Sequence, residues 1–212
     1  ISRVTRKPYW EFLRERIFNL AGMPTIRVNT ESDIVKHRAR GYLPVDGGWK
    51  QAGYVAPMTN TTADGSMLMN LQDMIAWNDV VANRRILSEQ SWNLILSPMK
   101  LNSGRTYPYG FGWFLNEVGG HTVQNHGGNW QGFSTQFNRF TGDELAVIVL
   151  ANARSFSVIG LPNRIGALLN PSLASDPPPS TQISDPDPKA TKYVRGILLK
   201  ISLGNLVLEE FA

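Results

Sequence analysis

Within this 212-residue chain, His126-Gly127-Gly128-Asn129-Trp130 is the segment best suited to chemistry. An imidazole can hold or move a proton near neutral pH. The two glycines that follow carry no Cβ, so a ligand backbone could lie against the chain there. A strand edge of this composition could also pair with an extended ligand as an added strand. The plainer alternative is a hairpin bend, because Gly-Gly suits bulges and a lone histidine is often structural. His121 lies five residues upstream. On a strand an odd separation sends side chains to opposite faces, so the two histidines should not chelate one ion. His37 has no local partner, and no metal site is expected. Ser97-Pro98-Met99-Lys100 sets a hydroxyl three residues before an amine. One helical turn would stack those two side chains. Here the segment runs into Leu101-Asn102-Ser103-Gly104-Arg105, where no helix can continue, so the spacing reads as coincidence.

These residues need elements to position them. Pro8 suits a first helical turn, Tyr9, Leu13 and Ile17 repeat every four residues, and Gly22 supplies a stop, so a helix is predicted over 8–20. Residues 23–66 show little periodicity and read as a long excursion with short strands around 49–55. Asn70 is a good cap for a helix carrying Leu71, Met74, Ile75 and Val80 inward. Ser88 opens a shorter one that buries Trp92, Ile95 and Leu96. The period then changes, and strands are predicted over 108–117, 120–126, 132–140 and 144–152. Gly119-Gly120 and Thr141-Gly142-Asp143 are turn chemistry between them. Short connections between successive strands imply an antiparallel meander. A helix over 156–169 could cover one face of that sheet. Residues 171–188 are rich in proline and read as an extended linker. Helical spacing returns over 189–203 through Tyr193, Ile197, Leu198 and Ile201.

The order of these features carries a resemblance. Gly119-Gly120-His121-Thr122-Val123-Gln124-Asn125-His126-Gly127-Gly128-Asn129-Trp130-Gln131-Gly132-Phe133-Ser134 follows Tyr109-Gly110-Phe111-Gly112-Trp113. It precedes the apolar run Leu145-Ala146-Val147-Ile148-Val149-Leu150-Ala151-Asn152. Over residues 1–170 this resembles the C-terminal portion of the serine beta-lactamase-like and penicillin-binding-protein hydrolases, which include class C beta-lactamases and esterases. The resemblance implies an α+β fold, an antiparallel β-meander sheet with flanking helices that is part of a beta-lactamase-like (DD-peptidase) fold. His126-Gly127-Gly128 resembles the family's third motif, Lys, a small residue, then Gly, with His in place of Lys in some branches. The implied catalytic groups are the His126 side chain and the Asn129 N–H as one oxyanion donor. Gly127, Gly128 and Trp130 are the implied substrate-binding residues. Asp64-Gly65-Ser66-Met67-Leu68-Met69-Asn70-Leu71-Gln72-Asp73-Met74 resembles a Gly-rich approach to a helix near the cleft, and equally a turn followed by a cap. Ser91-Trp92-Asn93 mimics a second-motif pattern but sits inside an amphipathic helix.

The implied activity is acyl-enzyme hydrolysis of an ester, a beta-lactam or a D-amino-acid peptide. His in the third motif favours the esterase and peptidase branches. No cofactor is implied. The nucleophile motif, Ser-x-x-Lys, and the second motif, Tyr-x-Asn, are expected in an N-terminal segment upstream of residue 1, in the same protein or a second chain. The chain alone is therefore expected to be inactive. The domain expectation is 1–170 as hydrolase, 171–188 as linker and 189–212 as a helical tail. The rival reading is a non-catalytic, degenerate hydrolase module that binds peptide or cell-wall material. A net charge of +4 spread over the N-terminal third, without a recognisable module, points to a solvated surface rather than a nucleic-acid partner. No run reaches the length of a membrane span. Cys is absent, which removes disulfides and thiolate chemistry. The family resemblance favours a periplasmic or secreted location.

Overall fold

The computed structural model describes residues 1–28, 34–53, 65, 67–154, 158–174 and 185–202, with side chains described to residue 200. The chain divides into two units, 1–175 and 176–212. Unit one contains the short pairs β1 (Arg27–Val28) with β4 (Met67–Leu68), β2 (Tyr42–Val45) with β3 (Gly48–Gln51), and β5 (Met99–Lys100) with β6 (Thr106–Tyr107). Its centre is a four-stranded sheet of β7 (Phe114–Val118), β8 (His121–Trp130), β9 (Phe133–Phe140) and β10 (Leu145–Ala151). The order is β10-β9-β8-β7, every pair antiparallel. This is the predicted meander, and no helix interrupts it. Two of its hairpins close in two residues. Gly119 and Gly120 have φ of 57° and 78°, and Gln131 and Gly132 have φ of 46° and 80°. Positive φ at both central residues gives the turn whose twist matches the flanking strands.

Two strand bounds differ from expectation. The first strand begins at 114 rather than 108. Residues 109–113 fold back on a helix end, where the Phe111 N–H donates to the Ile95 carbonyl at 3.1 Å. The second strand does not stop at 126 but runs through Gly127-Gly128 to Trp130, because β9 pairs with it along that whole length. Glycine weakens a strand yet does not end one that is paired.

Alternation gives the sheet two apolar faces. On one, Val123, Phe140 and Val147 pack with Leu173. Helix α6 (Leu161–Leu169) covers them, with Gly166 set against the Phe140 ring. On the other, Phe137 joins Leu13, Phe18, Ala21, Met23, Ile26, Val80, Val81, Trp92 and Trp113. The helices behind this second core are α2 (Tyr9–Leu13), α3 (Asn19–Ala21), α4 (Leu71–Ala82) and α5 (Glu89–Ile95), while α1 (Ser2–Thr5) buries no residue.

The predicted helix over 8–20 is present in three pieces, since a π turn at Arg14–Phe18 joins α2 to α3. An i→i+5 turn brings Leu13 and Phe18, five apart, onto one buried line, while Tyr9 and Ile17 are only half-buried. In α4, Val80 is buried and Met74 half-buried as expected, Val81 is buried as well, but Leu71 and Ile75 are exposed. The cause is the cap. Asn70 and Asp73 form a capping box, and Asp73, fully buried, also accepts from the Thr25 N–H at 3.3 Å and from the Thr25 hydroxyl. Anchoring Asp73 inward rotates Leu71 and Ile75 outward. Helix α5 starts at Ser88, whose Oγ accepts from the Ser91 N–H, and buries Trp92.

Pro171–Leu173 forms a 3-10 turn whose Leu173 is fully buried, so these residues pack with the sheet. Residues 175–184, most of the proline-rich stretch, lie outside the described residues, as do 54–64 with Asp64. Unit two contains α7 (Pro188–Ser202). Asp187 Oδ1 caps it by accepting from the Lys189 and Ala190 N–H groups at 3.1 and 3.0 Å. Among the described residues no helix is long and apolar enough to cross a membrane.

Candidate functional site

The site is the half of β8 that β7 does not cover. The last β7–β8 pair is Phe114↔Asn125. Beyond it, His126 to Trp130 pair only with β9, from His126↔Phe137 to Trp130↔Phe133, among the described residues. Among the described residues one edge of this segment is therefore open, with backbone groups available to an extended ligand.

His126 stands exposed at the start of that edge. Its Nδ1 lies 2.8 Å from the Gly127 carbonyl oxygen, and its Nε2 lies 3.0 Å from Tyr109 Oη. A carbonyl only accepts, so Nδ1 carries a proton and donates. Nε2 then accepts from the phenol when the ring is neutral, or donates to the phenol oxygen when the ring is protonated. The contact survives both states, so the ring keeps one orientation as its charge changes. Two aromatic neighbours fix its plane. Phe114 stacks on it with centroids 5.6 Å apart, and Tyr109 meets Phe114 edge-on at 4.7 Å.

Tyr109 is held in turn by the loop before β7. Gly110 is buried so tightly that an added Cβ would sit 2.0 Å from the Ile95 carbonyl oxygen, and Gly112 has φ of 82°. Trp113 anchors the far end, edge-on to Phe137 at 5.5 Å. The Tyr-Gly-Phe-Gly-Trp run is thus the device that carries the phenol to the imidazole. Sequence reasoning quoted this run but gave Tyr109 no role. A tyrosine in a glycine-punctuated loop beside a histidine strand was the signal that could have found it.

The glycines have distinct surroundings. At Gly127 an added Cβ would meet Gln136 Oε1 at 2.2 Å, so this glycine leaves room for the Gln136 amide. At Gly128 the nearest atom to an added Cβ is Thr135 Oγ1 at 3.4 Å, ordinary contact distance. Gly127, Gly128 and Asn129 line an open cleft of about 270 Å³ together with Phe114, Thr135 and Gln136. Asn129 turns its side chain to β9, its Oδ1 accepting from the Ser134 hydroxyl at 2.7 Å. Trp130 packs over Gly65, and its Nε1 is buried without a hydrogen-bond partner among the described residues. Gly65 belongs to the Gly-rich approach to α4, so that approach does reach the end of the site strand.

The remaining candidates sit elsewhere. His121 bonds through Nδ1 to Asp143 Oδ2 at 2.8 Å, and Asp143 Oδ1 accepts from Asn170, so His121 ties a sheet corner to α6. Ser97 follows α5, its hydroxyl donating to the Asn93 carbonyl, while Met99 and Lys100 form a strand. No helical turn stacks Lys100 on Ser97. Ser91 and Asn93 lie on α5, Asn93 accepting from Arg84. Arg139 was not singled out from sequence. It is nine-tenths buried, donates to Asn78 Oδ1 at 2.9 Å and to Gln124 Oε1 at 2.5 Å, and burial lowers its pKa.

A family model described as beta-lactamase matches residues 1–167. Penicillin-binding protein 4* of Bacillus subtilis is 28% identical over 166 residues, 72% of this chain and 36% of that protein. A D-aminopeptidase of Gluconobacter oxydans is 26% identical over 180 residues, 84% of this chain and 33% of that protein. The chain thus spans about a third of the length of these curated relatives. Among solved structures, a penicillin-binding protein from Bacillus halodurans has a TM-score of 0.64 at 21% identity, covering 79% of this chain and 52% of that one. D-amino acid amidase from Ochrobactrum anthropi SV3, complexed with L-phenylalanine, has a TM-score of 0.64 at 24% identity, covering 79% and 51%. At these identities the structural likeness speaks to the fold.

Proposed function

The chain belongs to the beta-lactamase family, and from that premise we propose that it is the substrate-facing portion of a serine hydrolase that cleaves amide or peptide bonds by acyl-enzyme chemistry. The nucleophile comes from a segment carrying Ser-x-x-Lys and Tyr-x-Asn. The observation that carries this reading is the open β8 edge from His126 to Trp130, headed by an imidazole that Tyr109 fixes in place. Among family members named by activity, a D-aminopeptidase and a D-amino acid amidase favour a D-amino-acid amide or peptide over a beta-lactam or an ester.

Each residue then has a physical task. The substrate backbone lies along β8, where Gly127 and Gly128 present no Cβ. Within a strand, the N–H and C=O of one residue point to the same edge, and successive residues alternate. The Gly127 carbonyl takes the His126 ring rather than a β9 donor, so Asn129, two residues on, shares the open edge and aims its N–H at the scissile carbonyl oxygen. One such donor is worth about 3 kcal/mol of transition-state stabilisation. His126 supplies a positive charge, or a proton to the leaving amine, beside the bond being cut. Trp130 forms the far wall.

The test is kinetic, in the protein that holds both this chain and the Ser-x-x-Lys segment. His126→Ala should lower kcat/KM on a D-alanyl peptide and a D-amino-acid amide by about 10²-fold or more. Ser97→Ala should change nothing. Full activity of the His126 variant on every substrate the parent turns over would return His126-Gly127-Gly128 to a structural feature of the strand, and labelling of Ser97 by a fluorophosphonate would place the nucleophile elsewhere.

A further inference from the structure

The second unit holds a helix whose composition the hydrolase reading leaves unused. Helix α7 spans Pro188–Ser202 and has its own start signal in Asp187. At the helical angle of about 100° per residue, Tyr193, Val194, Ile197 and Leu198 fall within one arc of about 140°. Tyr193, Val194 and Leu198 are 60%, 51% and 59% exposed and Ile197 is half-buried, so among the described residues most of this stripe is uncovered. Lys192 and Arg195 take the opposite face, broken only by Leu199. Lys189 and Lys200 stand at the border of the stripe, where a long side chain can lie over apolar surface and still reach water. The helix contains four cations, Lys189, Lys192, Arg195 and Lys200, and no Asp or Glu.

We propose that α7 lies flat on an anionic bilayer surface and tethers the chain there. A stripe of Tyr, Val, Ile and Leu suits the boundary between headgroups and acyl chains, and a cationic back complements acidic headgroups. A groove on a soluble partner would satisfy the stripe but not call for Lys192 and Arg195 on the back and Lys189 and Lys200 at the border. Among the described residues the helix is too short and too charged to span. Fifteen residues reach only about 22 Å against a hydrocarbon core of about 30 Å, and the helix carries four charges. This inference is independent of the chemistry proposed for β8.

Flotation of vesicles mixed with the whole chain, in which bound protein rises and aggregate does not, tests it. Binding to phosphatidylglycerol–phosphatidylcholine vesicles should be about 100-fold stronger than to phosphatidylcholine alone, and should fall steeply with added salt. Reversing three charges, in Lys189→Glu, Lys192→Glu and Arg195→Glu together, should weaken binding about 100-fold. Leu198→Glu should weaken it through the stripe alone, while Lys192→Arg should bind as the parent does. All six tryptophans lie between 10 and 130. Their emission therefore reports the first unit and should be the same in every variant. Equal binding to both vesicle types, no binding to either, or indifference to the charge reversal overturns the proposal. So does sedimentation-velocity evidence that the stripe is consumed by self-association before vesicles are added.

Discussion

Tyr109 and His126 form a unit whose parts answer to different substitutions. The phenol contributes one hydrogen bond to the ring, worth about 1 kcal/mol. Tyr109→Phe should therefore cost roughly fivefold in kcat/KM in the nucleophile-bearing protein and alter the pH profile, with KM nearly unchanged. A variant with the parent's rate and profile would mean that Phe114 alone orients the ring. The two glycines separate substrate approach from folding. Gly128→Val adds branches at a position where even Cβ makes only ordinary contact with Thr135, so the fold should hold while turnover is lost. Thermal melting and kinetics on one preparation check both halves. The Cβ of Gly127→Ala instead meets the buried Gln136 amide, which donates to Asn138 Oδ1, and stands 3.1 Å from the Thr135 carbonyl oxygen. The change should cost stability, with the cleft reshaped as that amide is displaced.

At the scale of elements, the loop 109–113 and the end of α5 are interlocked. Gly110→Ala would drive a methyl into the Ile95 carbonyl, which is backbone and cannot swing aside. A loss of at least 2 kcal/mol is expected, the size of an overpacking penalty in a well-filled site, together with loss of Tyr109 from His126. Denaturant melts would reveal it, and an unchanged midpoint would show that the loop can move. Asn70→Ala removes a cap and should cost about 1 kcal/mol. Here the loss should exceed a simple cap, because Asn70 also orients Asp73 toward Thr25. Phe140, fully buried between Val123, Val147 and Gly166, should cost 3–5 kcal/mol as Phe140→Ala.

For the molecule as a whole, the decisive property is the open half of β8. The described residues place no Ser-x-x-Lys on a helix, and Ser97 is spent on a carbonyl at the end of α5. By itself the chain should show no serine-hydrolase turnover, measured by probe labelling and by release from a D-amino-acid amide. An unpaired edge beside apolar surface should also favour pairing or aggregation. A monodisperse monomer with cooperative unfolding would mean that the edge is protected within the chain. Supplying the Ser-x-x-Lys segment should restore turnover if the family's division of labour holds here.

Sequence alone determined the meander, the turns at Gly119-Gly120 and Thr141-Gly142-Asp143, the caps at Asn70 and Ser88, and the family, because each rests on local periodicity or on a residue type that one backbone conformation requires. It put Gly132 of the Gln131-Gly132 turn at the start of a strand. It also put His126 at the end of the second strand, and it rejected Ser97 because no helix could continue past Lys100. Tertiary structure decided the rest. Which side of α4 faces inward depended on Asp73 finding Thr25, 48 residues away, and a helical wheel cannot contain that distance. The five-residue spacing of Leu13 and Phe18 became one face only because the chain adopts a π turn there. The length of β8 depended on its partner, since Gly127 and Gly128 are strand only while β9 pairs with them. The Tyr109–His126 contact joins residues 17 apart through a loop braced on a helix end. Local rules fix what a segment can be, and long-range contacts fix which of its faces, edges and side chains meet.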